Sequence, residues 1–330
     1  MPGSPRPSSV LSGRLALAAA AVLLAPLAAA AADAPSAALA PGAHTTTIGG
    51  VRIAYHVAGK GPVVLAHSGG PGAEWSYLRM PQVEAFATVV YIEPVGTGAS
   101  GSLPEGQKYF IERYVADVEG LRKHLGLDKV VLLGHSHGGF VAQAYALAHG
   151  DRVRGLILYE TSPTTGPEWQ KDVEANLAWF KDEPWFADAT AALAEETSAR
   201  TDEQMTAVVR REMPLYFASW TARAAEFEPL LRNLRFSVAP SRSATDPAAP
   251  GEVGVAPVFE VRERLASIKS PTLVIVGRKD FVCSERFARQ IHERISGSRL
   301  VVLEQSGHMG HLEEPKAFTT AVAGFLGALP

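Results

Sequence analysis

The fold of this chain is decided by residues 130–139, which have the sequence VVLLGHSHGG. The Val and Leu residues that open the stretch are typical of a strand buried on both faces of a parallel sheet. Residues 140–148, which follow, are mostly helix formers. Ser136 therefore lies in a G-x-S-x-G motif between a strand and a helix, which is the context of a nucleophile elbow.

The elbow also explains the glycines around Ser136. A sharp turn that lifts the serine hydroxyl to the top of the sheet leaves no room for large side chains, so we expect Gly134 and Gly138 to be sterically required. The N-terminus of the following helix favours negative charge beside the hydroxyl. We expect Ser136 to be a nucleophile; the alternative is a glycine-rich loop with no chemical role.

A nucleophilic serine needs a base, and the base needs a carboxylate that orients it. In chains with a nucleophile elbow between a strand and a helix, the acid should come after the serine in the sequence, and the histidine should come after the acid. Asp280 comes after a buried strand predicted over residues 271–277, and His308 comes after a strand predicted over residues 300–303. The predicted catalytic residues are Ser136, Asp280 and His308.

Two other residues compete for these roles. Glu160 directly follows a strand predicted over residues 153–159. It is the alternative acid, because some enzymes with this order of strands and helices carry the acid at the end of that strand. His311 is the alternative base, although we expect it inside the last helix. Asp280 could instead be a turn or helix-cap residue.

An oxyanion needs two preorganised N–H donors. The amide of His137, the residue after the nucleophile, should supply one of them. The other should come from the glycine-rich loop HSGGPG at residues 67–72, where the backbone can approach a ligand closely, and we assign it to Gly70. The supporting residues of this loop are Gly69, Pro71 and Gly72.

No metal, cofactor or disulfide is expected. His135 and His137 suggest a metal site, but their spacing in a tight turn points the rings apart, and the sequence shows no further Cys, His or carboxylate cluster to complete a site. The only cysteine, Cys283, excludes an intramolecular disulfide. We interpret it as a small apolar residue beside the acid loop rather than a nucleophile.

Three motifs together give a family resemblance over residues 45–330. They are GGPG at 69–72, GHSHGG at 134–139, and Gly-His at 307–308 with Glu-Pro at 314–315. In these the chain resembles the α/β-hydrolase fold, and within it the proline iminopeptidase-like serine hydrolases. The resemblance implies an α/β fold with a mostly parallel, doubly wound sheet and an inserted helical cap. It also implies release of N-terminal proline or another small residue, with cap carboxylates holding the substrate amine.

The chain departs from this family in two places. The family usually has His directly before GGPG, whereas here Ser68 takes that position and His67 comes one residue earlier. The usual Asp-Gln-Arg-Gly-x-Gly-x-Ser is replaced by EPVGTGAS at residues 93–100, which lacks the Arg. Two alternatives to the peptidase therefore stay open: an esterase, lactonase or carbon–carbon-bond hydrolase, and a non-catalytic binding protein on the same scaffold. The binding protein should have lost a catalytic residue.

The order of predicted strands and helices divides the chain. Strands and helices alternate up to residue 161 after an opening hairpin (45–48 and 51–55), and resume near residue 271. We expect helices over 167–236 and an extended return loop over 237–257. The predicted segments are 1–32, a signal peptide; 33–44, a linker; 45–161, the first part of the core; 162–257, the cap and return loop; and 258–330, the second part of the core.

The predicted cap is aromatic and acidic. Residues 168–235 contain 13 acidic and 8 basic residues, so a carboxylate there could bind a substrate ammonium, although the sequence does not single one out. The aromatic rings could line the roof of a pocket or only pack the cap helices together, and we favour packing for most of them. They are Trp169, Trp179, Trp185, Trp220, Phe180, Phe186, Tyr216 and Phe217.

The N-terminus indicates export. Arg6 and Arg14 precede an apolar stretch, residues 15–32, and small residues suited to cleavage lie around residues 30–34. No charged stop-transfer flank follows, so we expect a secreted protein without a stable membrane anchor. The net charge of −3 gives no electrostatic basis for nucleic-acid binding. The expected partner is a small molecule or a short peptide.

Overall fold

The computed structural model describes residue 3, residues 37–245 and residues 258–330. Almost all of the predicted signal peptide and the second half of the predicted return loop lie outside these residues. Among the residues described, no helix has both the length and the apolar character that crossing a membrane requires.

Eight strands form one sheet in the described part of the chain, in the order β1-β2-β4-β3-β5-β6-β7-β8. β1 pairs with β2, and β2 with β4, in antiparallel fashion, and every other pair is parallel. This confirms the predicted fold class. The strands are β1 (Gly42–Ile48), β2 (Val51–Gly59), β3 (Val63–His67), β4 (Thr88–Glu93), β5 (Val130–His135), β6 (Val153–Tyr159), β7 (Thr272–Gly277) and β8 (Arg299–Leu303).

Helices flank the sheet and fill the interval between β6 and β7. They are α1 (Pro81–Glu84), α2 (Ile111–His124), α3 (His137–Ala148), α4 (Pro167–Leu177), α5 (Phe186–Glu195), α6 (Asp202–Glu212), α7 (Trp220–Asn233), α8 (Val238–Thr245), α9 (Glu285–Arg294), α10 (Gly310–Glu313) and α11 (Pro315–Leu326). Helices α4 to α8 all lie between β6 and β7, and we refer to residues 167–245 as the cap.

The opening hairpin forms where the sequence predicts it. Ile48 of β1 faces Val51 of β2 across a two-residue turn. Both turn residues, Gly49 and Gly50, have positive φ angles (56° and 79°), as a type I′ turn requires. β1 begins at Gly42, inside the segment predicted to be a linker.

The central strands are buried because both faces of the sheet are covered. On β5, Leu132 packs into the core layer that contains α2 and α3, and its neighbour Leu133 packs into the opposite layer with α11. Both side chains are fully buried. Burying a leucine contributes about 1.5–3 kcal/mol, so the Val/Leu run that identified the strand also holds it in the centre of the sheet.

The prediction of an extended loop after residue 236 is wrong over Val238–Thr245, which form the helix α8. The missed signal is tertiary. The Val238 amide donates to the Asp202 carboxylate (2.8 Å), so a carboxylate from another helix supports the N-terminus of α8. The Ser237 amide donates to the carbonyl of Gly72 (2.8 Å), which ties the start of the helix to the glycine-rich loop.

Candidate active site

Ser136 lies on a strained turn between β5 and α3. Its backbone angles are φ 54° and ψ −120°, a conformation that residues with a side chain rarely adopt. The Ser136 amide donates to the Tyr159 carbonyl (3.0 Å). Its own carbonyl accepts from the Gly139 amide and the Thr161 hydroxyl (both 2.8 Å). These hydrogen bonds hold the strained conformation in place.

The glycines of the elbow are required for the steric reason that the sequence predicts. A Cβ atom on Gly134 would lie 2.2 Å from the Gly138 carbonyl oxygen. One on Gly138 would lie 2.3 Å from the carbonyl oxygen of His67. Only glycine lets β5, α3 and the end of β3 approach this closely.

His308 and Asp280 meet at the carboxyl end of the sheet. The His308 Nδ1 and Asp280 Oδ2 atoms are 2.8 Å apart, and both side chains are buried. The other carboxylate oxygen of Asp280 accepts from the amides of Val282 (3.0 Å) and Cys283 (2.9 Å), which fixes the carboxylate. With Nδ1–H donating to Asp280, the Nε2 atom of His308 is left as the proton acceptor.

The two alternative residues have other hydrogen-bond partners in the structure. Glu160 is fully buried, and its Oε2 atom lies 3.1 Å from His135 Nε2, while its Oε1 atom accepts from the Gly310 amide (3.1 Å). His311 lies in the short helix α10, so its predicted place in the last helix is wrong. Its ring contacts the Tyr159 hydroxyl (2.9 Å) and the Tyr77 carbonyl (3.0 Å). Neither residue contacts the ring of His308 through a hydrogen bond among the described residues.

The glycine-rich loop at residues 67–72 lies directly against the elbow. A Cβ atom on Gly69 would lie 2.5 Å from the Cβ atom of Ser136. The Gly69 amide donates to the Tyr77 hydroxyl (2.5 Å), whereas no hydrogen bond within the described residues uses the Gly70 amide. The His137 amide belongs to the first residue of α3, where an N–H has no partner inside the helix.

The two histidines that flank Ser136 have different surroundings. The His137 ring packs edge-on against Tyr114 and Phe140, and burial, followed by the nearby His67, lowers its pKa to about 3. His135 instead lies beside Glu160 and His308, and ligand atoms of the three residues lie within 4.8 Å of one another. No local sequence pattern indicates this grouping, because its members lie at or after the ends of three different strands. Its polar atoms are already joined by hydrogen bonds.

A cavity of about 830 Å³ opens above Ser136 and His308. The cap residues that line it include the aliphatic Met205, Val209, Met213 and Leu234 and the aromatic Trp169, Tyr216 and Phe236. Of the four cap tryptophans only Trp169 lines this cavity in the part of the chain that is described. Trp185 packs on Phe180, and Trp220 packs on Phe217 and Phe227, as expected of rings that mainly hold the cap together.

The cap also carries a pair of carboxyl groups. Glu196 lines the cavity, and Glu212 is fully buried at the end of α6. Burial, followed by the negative charge of Glu196, raises the pKa of Glu212 to about 9. Burial also raises the pKa of Glu196. No N–H or hydroxyl group of the described residues donates to the carboxylate oxygens of Glu212, whose neighbour is the carboxyl group of Glu196, with which it can share a proton.

This carboxyl pair is tied to the base. Glu212 is followed by a turn of 3₁₀ helix, Met213–Tyr216, whose last carbonyl accepts from the His308 amide (2.8 Å). The rings of Tyr216 and His308 are in contact, with centroids 5.6 Å apart. The sequence predicts an acidic cap but gives no signal that distinguishes Glu212 from the other carboxylates on amphipathic helices.

The segment that lacks the family arginine folds on itself. Glu93 accepts from the Ala99 amide (2.9 Å) and lies 3.2 Å from His56 Nε2. The Ser100 hydroxyl donates to the Glu93 carbonyl (2.6 Å). The cavity-lining residues of the described chain include none of residues 93–100. Glu93 therefore organises its own loop.

Comparison with known proteins agrees with this architecture. The family model described as "alpha/beta hydrolase fold" matches residues 62–315. A proline iminopeptidase of Saccharolobus solfataricus is 30% identical, covering 82% of this chain and 87% of its own length. A proline iminopeptidase of Clostridioides difficile is 28% identical, over 82% of this chain and 91% of its own length. The solved structure of a hydrolase from Pseudomonas aeruginosa matches with a TM-score of 0.65 and 26% identity, over 88% of this chain and all of that one. The chain therefore belongs to the α/β-hydrolase fold family, in its proline iminopeptidase-like branch, and is a serine hydrolase.

Proposed function

We propose that this protein is an aminopeptidase that releases proline or another small residue from the N-terminus of a short peptide. The observation that carries the proposal is the pair Glu196 and Glu212, placed on a cap segment that is fastened to His308. A buried carboxyl group whose neighbour is a second carboxyl group favours binding of a cation, and a free N-terminus is one. The relatives named proline iminopeptidase support the same substrate class.

The chemistry that we propose is a two-step acyl transfer. The Ser136 hydroxyl oxygen attacks the carbonyl carbon of the substrate while His308 Nε2 takes its proton. Asp280, held by two amides, fixes the ring tautomer and stabilises the imidazolium. His308 then gives the proton to the leaving amine as the carbon–nitrogen bond breaks. Water attacks the resulting ester with His308 again as base, which releases the acid and restores Ser136.

The amides of His137 and Gly70 are the proposed oxyanion donors. The Gly69 amide is engaged by Tyr77, so the next amide of that loop is the one left for a ligand. The loop abuts the elbow, and His137 directly follows the nucleophile. Each donor contributes roughly 3 kcal/mol to the stability of the transition state in comparable enzymes.

The carboxyl pair explains how the enzyme would select a free amine. With only Glu196 beside it, Glu212 has a raised pKa that keeps it protonated at neutral pH. An entering ammonium group supplies the positive charge and the donors that Glu212 lacks, which favours the ionised carboxylate. An N-acetylated substrate offers neither, so it should leave the carboxyl groups unpaired and bind poorly.

The test compares free and N-acetylated proline p-nitroanilide on the wild type and on Glu212→Gln. The wild type should prefer the free amine by at least 100-fold in kcat/KM, and Glu212→Gln should lose most of that preference. Glu203→Gln, an exposed carboxylate on the same helix, is the matched control and should keep it. Equal kcat/KM for both substrates on the wild type would exclude the aminopeptidase.

An esterase or lactonase is the second candidate, because many aliphatic and aromatic side chains line the cavity and the family arginine is absent. That enzyme would cleave p-nitrophenyl acetate and butyrate faster than any amino-acid arylamide and would ignore the amine. A non-catalytic binding protein would react with neither substrate.

We also propose that the protein is exported, on the strength of the basic and apolar pattern of residues 1–32. Expression of the full chain in a bacterium should release a shortened protein from the cytoplasm. N-terminal sequencing of that product should begin between residues 31 and 35. Retention of Met1 on protein that stays in the cytoplasm would contradict the proposal.

A further inference from the structure

A buried chain of hydrogen bonds runs behind Ser136 and connects loops from three parts of the sequence. The Gly69 amide donates to the Tyr77 hydroxyl (2.5 Å), which in turn lies 2.7 Å from His135 Nδ1. The Nε2 atom of His135 lies 3.0 Å from the His308 carbonyl oxygen. The same nitrogen lies 3.1 Å from Glu160 Oε2. The proposed mechanism uses neither the ring of His135 nor Tyr77.

The partners of His135 define its tautomer. A carbonyl oxygen can only accept, so Nε2 must carry the hydrogen that reaches His308. The Tyr77 hydroxyl already accepts from Gly69, and its own hydrogen is therefore free to go to Nδ1. In this tautomer Gly69 N–H donates to Tyr77, Tyr77 O–H donates to His135, and His135 N–H faces both the His308 carbonyl and Glu160 Oε2.

Burial keeps this arrangement in one protonation state. His135 is fully buried, and burial, followed by the charges of His308 and His311, holds its pKa well below the usual value. Burial also raises the pKa of Tyr77, which therefore keeps its proton. Both groups are neutral at any pH at which the enzyme would work, so they transmit geometry rather than charge.

The three connected points each carry a part of the proposed site. Gly69 precedes the oxyanion donor Gly70, His135 precedes the nucleophile Ser136, and the His308 carbonyl belongs to the base. We propose that His135 is a positioning residue, which holds the base loop and the oxyanion loop at a fixed distance from the nucleophile elbow. This inference rests on the proposed roles of Ser136, His308 and Gly70.

The two nitrogens of His135 can be tested separately. In His135→Gln the side-chain amide can occupy the place of Nε2 and still donate to the His308 carbonyl. In His135→Asn the shorter amide can replace Nδ1 and accept from Tyr77, but it cannot reach His308. We expect His135→Asn to lose roughly 10- to 100-fold in kcat with little change in KM, since misplacing reacting groups by about 1 Å has effects of that order. His135→Gln gives up the bond from Tyr77 and keeps the one to His308, so its kcat should fall about as far as that of Tyr77→Phe.

Tyr77→Phe tests the other end of the chain. It removes the hydroxyl that joins Gly69 to His135, so kcat should again fall by at least about 10-fold with KM retained. Tyr145→Phe is the matched control, because it deletes a buried hydroxyl that donates to Glu119 (2.9 Å), away from the cavity. It should keep the wild-type kcat whatever its effect on the melting temperature.

Two probes keep this test independent of the substrate. Hydrolysis of p-nitrophenyl acetate and the rate of labelling by a fluorophosphonate both report on Ser136 without a substrate amine. A wild type that reacts with neither probe would remove the proposed catalytic residues themselves. A reactive wild type whose kcat is kept in both His135→Asn and Tyr77→Phe, or falls in them only as far as the melting temperature does, would overturn only the positioning role.

Discussion

Ser136 has a backbone conformation that is strained for any residue with a Cβ atom. Three hydrogen bonds maintain it: the Ser136 amide donates to β6, and its carbonyl accepts from α3 and from Thr161. Strain of this kind is found where a side chain must be presented at one place. The serine hydroxyl therefore owes its position to a backbone that is less stable than an ordinary turn. The two neighbouring glycines that allow the turn have no freedom to change.

The strain can be measured by two substitutions. Ser136→Ala keeps the Cβ atom and should lose at least about 10⁴-fold in turnover with the fold intact. Ser136→Gly should be equally inactive, but more stable than Ser136→Ala by about 1 kcal/mol, because glycine adopts a positive φ without strain. Urea denaturation of the two purified variants gives the difference. A less stable glycine variant would show that the elbow stores no strain.

The choice between the two candidate acids is also a question of single residues. Asp280→Asn would offer an amide to His308 Nδ1 and favour the wrong tautomer, a change that reduces kcat by about 10⁴-fold in a comparable triad. Glu160→Gln should have a smaller effect, since Glu160 contacts His135 instead. Initial rates with p-nitrophenyl acetate compare them. A larger loss in Glu160→Gln would assign the acid to the end of β6.

At the level of elements, the site is built where the ends of β3, β5, β7 and β8 meet. Each of the residues Ser136, Asp280 and His308 follows a short apolar strand, and this local pattern is the signal from which the sequence predicts them. Contacts between segments that are far apart in the sequence have no local sequence pattern that would predict them. His135 and Tyr77 are 58 residues apart, and α8 is supported by Asp202, so neither feature has a local pattern.

The tight junction between β5 and α3 predicts a large effect of one methyl group. In Gly134→Ala the new Cβ atom would lie 2.2 Å from the Gly138 carbonyl, and both are backbone positions that cannot rotate away. We expect destabilisation of about 1–3 kcal/mol, as found for overpacked cores, together with loss of activity. Gly150→Ala, which has open space around its Cβ, is the control and should denature like the wild type.

The carboxyl pair makes the stability of the whole molecule depend on pH. Burial and the neighbouring Glu196 raise the pKa of Glu212 to about 9, so the folded protein keeps that carboxyl group protonated at neutral pH. The unfolded chain releases that proton near the ordinary pKa of glutamic acid, about 4.3. Folding therefore takes up a proton at intermediate pH, and stability that is present at low pH is lost as pH rises toward 9.

This linkage gives the last prediction. Between pH 5 and pH 9 the folded state binds more protons than the unfolded state, so one such group lowers the free energy of unfolding by up to about 1.4 kcal/mol per pH unit. Glu212→Gln cannot ionise, so its stability should match the wild type most closely at pH 5 and exceed it increasingly toward pH 8.5. Glu203 is exposed and its pKa is lowered instead, so Glu203→Gln should differ from the wild type by the same amount at pH 5 and at pH 8.5. Urea denaturation at pH 5, 7 and 8.5 measures all three proteins.

Adding prolinamide, a cation without a scissile arylamide, should stabilise the wild type and the Glu203→Gln control but not Glu212→Gln. Parallel pH profiles of the wild type and Glu212→Gln would show that Glu212 is ionised in the folded enzyme, and the cation site would then need another carboxylate.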